Sequence, residues 1–257
     1  MCLRRAASGF TLLEILVAMV IVALLAGGLA MPMATQLQLR RQEETRRQLD
    51  EAKEALLGFA AAHGRLPCPA SASSRGQESF TATGDANNGD CSNFHDGFLP
   101  AATLGFAPLD AEGFARDAWG TSRNRLRYAV FGAGLAANGV TNPLTRVNGM
   151  QAASLPGLAA ASHYLFICAS GIGVTGSGCG PATNQLTRRA AFVLLSLGPN
   201  GADVPAPGSD ESRNVDGDAV FVSRDASLGN ENAFDDILYW VPVHIVAGRL
   251  LAAGRLP

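Results

Sequence analysis

The sequence predicts an α+β fold in which one long N-terminal helix is packed on a small antiparallel β-sheet with long loops. Three observations predict it. An apolar run over residues 10–34 continues into a helix-periodic pattern to residue 63, five short strand-like runs follow, and Gly, Pro, Asn and Ser collect between them. At 257 residues the chain can bury one substantial core behind such an extension. Its net charge of −2, with 16% charged residues, supplies no global basic field, so composition excludes nucleic acid as an expected partner.

The apolar run justifies the first half of the helix. Between Phe10 and Ala34 the only ionisable side chain is Glu14. About 20 apolar residues cross the ~30 Å hydrocarbon layer as a helix, and Arg4 and Arg5 ahead of the run hold the N-terminus in the cytoplasm. Pro32 removes one backbone donor and crowds the preceding turn, so a kink or loosening is expected there. Residues 36–63 then read as an amphipathic continuation with Leu49, Ala52, Leu56, Phe59 and Ala60 on one face. On the solvated face Glu43 with Arg47, and Arg47 with Glu51, stand at i,i+4 spacing. Gly64, Pro67 and Pro69 end the helix.

The runs at 125–131, 164–169, 191–197, 219–222 and 237–243 are the expected strands, and 243–253 is a candidate last short helix. Four cysteines fall as two local pairs, Cys68 with Cys91 and Cys168 with Cys179, each across a loop rich in small residues. In an oxidising compartment two disulfides are the economical reading, at roughly 2–4 kcal/mol apiece. Four free thiols are the alternative; a zinc site lacks any CxxC spacing. Residues 171–176 match GxGxxG, but the Ser-Gly-Cys-Gly-Pro that follows cannot open the helix a dinucleotide site needs, and a closed loop is expected instead.

Two readings of the N-terminus compete. An ordinary secretory signal also shows Arg residues and an apolar run, with small residues after the run. Here the small pair Ser8-Gly9 precedes the run, and a carboxylate costing about 2.5–3.5 kcal/mol at a membrane centre sits inside it. Gly9-Phe10-Thr11-Leu12-Leu13-Glu14 resembles the class III signal of type IV prepilins and type II secretion pseudopilins. That resemblance implies a pilin-like fold with a leader at 1–9, a transmembrane half-helix at 10–34, an amphipathic half at 35–63 and a periplasmic domain at 64–257. It further implies cleavage between Gly9 and Phe10 by a prepilin peptidase, methylation of Phe10, and a place in the bacterial inner membrane with one pass. Glu14 would then neutralise the new α-amino group within the chain or across to another subunit. The plainer alternative is that Glu14 caps the helix start.

Patches further along resemble the major pseudopilins. Asp117-Ala118-Trp119-Gly120 leading into Arg125-Leu126-Arg127-Tyr128 is similar to their Asp-Pro-Trp-Gly segment, with Ala118 in place of the proline. Ser196-Leu197-Gly198-Pro199-Asn200-Gly201 and Asp235-Asp236-Ile237 resemble the two ends of their calcium loop, with Asn200 replacing a carboxylate and Phe234 another acidic residue. The implied calcium ligands are the Leu197 carbonyl, Asn200, Asp235 and Asp236. Asp203, Asp210, Asp216 and Asp218 add oxygen of the kind Ca²⁺ prefers. The four histidines are scattered and neither GxSxG nor HExxH occurs, so no enzyme is expected. The implied function is a structural subunit of a secretion pseudopilus or pilus-like filament. Its partners would be the peptidase and methylase, other pilin-like subunits, an inner-membrane platform protein and a secretion ATPase. The rival is a periplasmic, membrane-anchored binding protein or enzyme with an ordinary signal.

Overall fold

The computed structural model describes residues 11–120, 123–132, 139–201, 203–227 and 232–256, and for 25–34 it describes the backbone alone. The chain divides into two compact units, Met1–Glu43 and Glu44–Pro257. Helix α1 (Leu12–His63) begins in the first and ends in the second. The backbone assignment carries through Pro32 without the expected interruption. Proline's fixed φ of about −65° is itself helical, so the cost is one missing donor rather than a break. In the first unit the side chains of residues 11–24 are all exposed, including Leu12, Leu13 and Leu16. Among the described residues no helix is long and apolar enough to cross a membrane. The stretch 12–24 measures only about 20 Å at 1.5 Å per residue, and the rest of the expected span, 25–34, lies among side chains outside the described residues.

In the second unit α1 buries Thr45, Leu49, Ala52, Leu56, Leu57 and Ala60, while Phe59 is half-buried. Arg47 pairs with Glu51, as its i,i+4 spacing predicts, and with Glu44, one residue on from Glu43. Gly64 ends the helix in the left-handed region (φ 69°), where a Cβ would strike the Asn148 side chain. All members of the two buried apolar clusters lie in this unit, from Leu49 onward, so it carries its own complete core.

The remaining strands and α-helices among the described residues are β1 (Gly97–Phe98), α2 (Ala101–Leu104), β2 (Arg127–Val130), α3 (Gly149–Ala153), α4 (Leu155–Ala160), β3 (Leu165–Cys168), β4 (Gln185–Ser196), α5 (Asp210–Arg213), β5 (Val220–Val222), β6 (Ile237–Pro242) and α6 (Val243–Ala252). One six-stranded sheet runs β1-β2-β4-β3-β5, with β6 also on β4. Its hub is β4, buried from Ala190 to Ser196, where β2 and β6 both pair with it. The first part of β4, Gln185 to Arg189, is polar apart from the exposed Leu186 and gives no apolar run; β3 pairs with it there.

The expectation of an antiparallel sheet needs correction. β3 and β5 are parallel, with Phe166 opposite Val220 and Ile167 opposite Phe221. Parallel neighbours need a crossover, and the chain between β3 and β5 includes the whole of β4. Both disulfides are present, Cys68–Cys91 and Cys168–Cys179, and the second closes the glycine-rich loop after β3, where no helix opens directly after the third glycine and only a single 3-10 turn, Ala182–Asn184, comes after Pro181.

Asp117 is the polar joint of this unit. Its carboxylate is buried and accepts from Ser196 Oγ (2.6 Å), Asn124 Nδ2 (3.1 Å) and the Trp119 amide (3.0 Å), while the next amide, Ala118, donates to Thr45 Oγ1 of α1 (3.1 Å). Burial pushes the Asp117 carboxyl up against these donors, which hold it down. Asp117→Ala would strand several buried donors at once. A loss of about 2–4 kcal/mol is expected in urea unfolding of residues 36–257; an unchanged midpoint would show that the network contributes nothing.

Candidate functional site

Two places carry chemistry. At the N-terminus, Gly9 and Phe10 lie outside the described residues. Glu14 is described, and it forms a reciprocal cap with Thr11: the Thr11 amide and hydroxyl both donate to Glu14 Oε2, and the Glu14 amide donates to Thr11 Oγ1, all at 3.3 Å. Ser or Thr ahead of a helix with Glu three residues on is the capping-box pattern. The plainer sequence reading of Glu14 therefore has a geometry. The same geometry holds the carboxylate beside the residue that would follow a new N-terminus at Phe10.

The second place is the loop after β4. Gly198 turns it with φ 65°, and a Cβ there would collide with the backbone and carboxylate of Asp235. This close approach brings the end of β4 against the segment that leads into β6. Glu211, Asp235 and Asp236 each place a carboxylate oxygen so that the three lie within 4.8 Å of one another. Glu211 sits in α5, whose start is capped by Ser209 Oγ accepting from the Ser212 amide. The Asp235 amide donates to Glu211 Oε1 at 2.9 Å. Asn200 donates its side-chain amide to both Glu211 oxygens (3.1 and 3.2 Å), and Asn214 Nδ2 donates to Asp236 Oδ2 at 2.7 Å.

Three carboxylates so close are unfavourable as anions. Burial, reinforced by Glu211, pushes Asp235 up to about 7; burial also pushes Asp236 up to about 8, with the Asn214 donor opposing. Asp235 Oδ1 is buried and finds no hydrogen-bond partner among the described residues. A hard divalent cation answers each of these observations, because it accepts carboxylate oxygens and replaces the missing positive charge. Glu211, Asp235 and Asp236 would hold it, with Asn200 beside them.

Of the residues expected from sequence, Asn200, Asp235 and Asp236 come together. Leu197, with its side chain buried, joins them only as the neighbour of Gly198. Asp210 belongs elsewhere: its carboxylate takes the Arg224 guanidinium (2.6 Å) and the Gly171 amide (2.6 Å). Asp216 faces Arg213 at 3.6 Å, Asp218 accepts from the Val220 amide, and Asp203 is exposed. Glu211 was not among the residues expected. Its signal was present as an acidic residue following a Ser helix cap, but nothing in the sequence says that this short helix folds back onto 235–236.

Residues 4–30 match the family model described as the prokaryotic N-terminal methylation motif. No curated protein and no solved structure matches the chain. The N-terminus is thus a type IV pilin-like, pseudopilin-type signal, reached independently through the Gly9-Phe10 junction, the apolar run and Glu14.

Proposed function

We propose that the chain is a structural subunit of a type II secretion pseudopilus or type IV pilus-like filament, with a pilin-like fold. The observation that carries this is the methylation motif at 4–30, in which a Gly-Phe junction precedes an apolar run holding a single carboxylate. A peptidase cuts after Gly9 on the cytoplasmic face and the amine of Phe10 is methylated. The run at 10–34 keeps the subunit in the inner membrane with 64–257 in the periplasm, and a platform protein and ATPase then drive the subunit into a filament of like subunits. Glu14, already turned back toward residue 11, offers its carboxylate to that amine or to the amine of an adjacent subunit. On this reading the protein is worked on by enzymes and is not one itself.

The test is intact-mass and N-terminal peptide analysis of protein purified from its native membrane. A chain beginning at methylated Phe10 is the expected result. A chain beginning after Ala30, or an unprocessed Met1, would mean an ordinary signal or anchor and would overturn the proposal.

A further inference from the structure

We infer that the cavity between α4 and α6 binds a single-chain fatty carboxylate, an activity separate from filament assembly. The cavity encloses about 270 Å³ and is open on one side. Leu155 and Leu158 of α4 and Val243, Ala247 and Leu251 of α6 give it apolar walls; Arg189 of β4 and His244 stand among them. Its size is just under the lower bound of roughly 300 Å³ for drug-sized ligands, which suits one acyl chain and not two.

The head group follows from Arg189. This half-buried guanidinium donates to the carbonyls of Ala161 (2.6 Å), Leu158 (3.0 Å) and Ala159 (3.3 Å), and its carbon lies 4.9 Å from the centre of the Tyr164 ring. These contacts fix the fork in place, yet none brings a formal negative charge. Among the described residues no carboxylate pairs with it. Nη1 serves Ala161 and Nη2 serves Leu158 and Ala159, which leaves Nε–H to donate. A positioned cation without a counter-ion, at the wall of an apolar cavity, is complementary to an anion with an apolar body. With the Nη2 hydrogens already given to carbonyls, a carboxylate oxygen takes the Nε–H as one charge-assisted hydrogen bond, and the exposed His244 offers a further donor.

The test uses the full chain in nanodiscs of zwitterionic lipid, with decanoate carrying a terminal diazirine as the probe and the same chain ending in trimethylammonium as its control. Photolabelled peptides are mapped by mass spectrometry. The carboxylate probe is expected to label 155–159 and 243–251, the cationic control is not, and plain decanoate competes. Arg189→Gln should weaken labelling about tenfold. Because Arg189 also steadies α4, the decisive variant is Gly248→Leu: a Cβ at Gly248 meets open space, so the larger side chain enters the cavity without disturbing the helix. It should cut labelling by a similar factor. Equal labelling by both probes, labelling undiminished in Gly248→Leu, or subunit-to-subunit cross-links through these peptides would overturn the inference, the last by showing that a second copy covers the site.

Discussion

Gly9→Leu is expected to leave residues 1–9 on the chain. A peptidase acting beside residue 9 must bring its own groups against the backbone of the scissile bond, and glycine alone presents no side chain there. Ala adds one methyl and should slow the cut, whereas Leu adds an isobutyl group where the enzyme needs access. In cells carrying the native processing machinery, the wild-type chain should be converted completely and the Gly9→Leu chain not at all, by intact mass. Insertion should be unaffected, because the apolar run at 10–34 is untouched. Glu14→Val provides the contrast. It removes the only charge in that run, so cleavage and insertion persist while the partner for the Phe10 amine is lost, and co-isolation with other pilin-like subunits should fall. Normal removal of 1–9 from Gly9→Leu would sink the prepilin assignment.

The second large effect is expected at the acidic cluster. A ligand that binds only the native state adds RT ln(1 + [L]/Kd), about 2.7 kcal/mol at a hundredfold excess over Kd. For a unit of this size that is about 5–10 °C in Tm. The unit can be melted as residues 36–257, which keep about two turns of α1 ahead of Thr45, its first buried side chain. Melting should rise by that amount in millimolar calcium over chelator, and Glu211→Gln and Asp236→Asn should each remove most of the rise. Magnesium, which demands six-fold geometry, should substitute poorly.

The pH dependence separates this from a general salt effect. Folding raises Asp235 to about 7 and Asp236 to about 8, and burial lifts Asp218 to about 6, so between pH 4 and 8 these three groups hold more protons in the native state than in the unfolded chain and outweigh His95, whose imidazole burial pushes the other way. Stability in chelator must then fall as pH rises through that window. Asp110 does not blur the trend. Although burial opposes it, donors from Phe114, Arg116 and Arg125 hold its carboxyl down to about 2, so its contribution is lost only below pH about 4. Calcium replaces the protons of Asp235 and Asp236, so the calcium-loaded curve should keep only the shallower fall that Asp218 contributes and should be level from about pH 7 to 8. Superimposable curves with calcium, magnesium and chelator would show that the cluster takes no ion.

Much of the fold was legible because its signals are local. The buried face of α1 repeats at helical spacing, Gly64 and two prolines stop it, and all five apolar runs overlap strands. The short elements were not legible. α2, α3, α4 and α5 each have six residues or fewer, too few turns for a periodic pattern, and β1 has two. The first half of β4 was missed because Gln185, Thr187, Arg188 and Arg189 are polar and are ordered by pairing with β3 rather than by burial.

By itself the sequence determined the long helix and the N-terminal methylation motif, since each is written in neighbouring residues whose spacing carries its own meaning; it offered the two cysteine pairs as the economical reading beside free thiols. Only the tertiary structure decided the parallel β3–β5 pair, the addition of Glu211 to Asp235 and Asp236, and the place of Arg189 beside an apolar cavity. The physical reason is common to all three. Pairing across a sheet and clustering of like charges are set by the free energy of the whole core, which can bring residues 24 or more positions apart into contact against their local preference, and no short stretch of sequence records that balance.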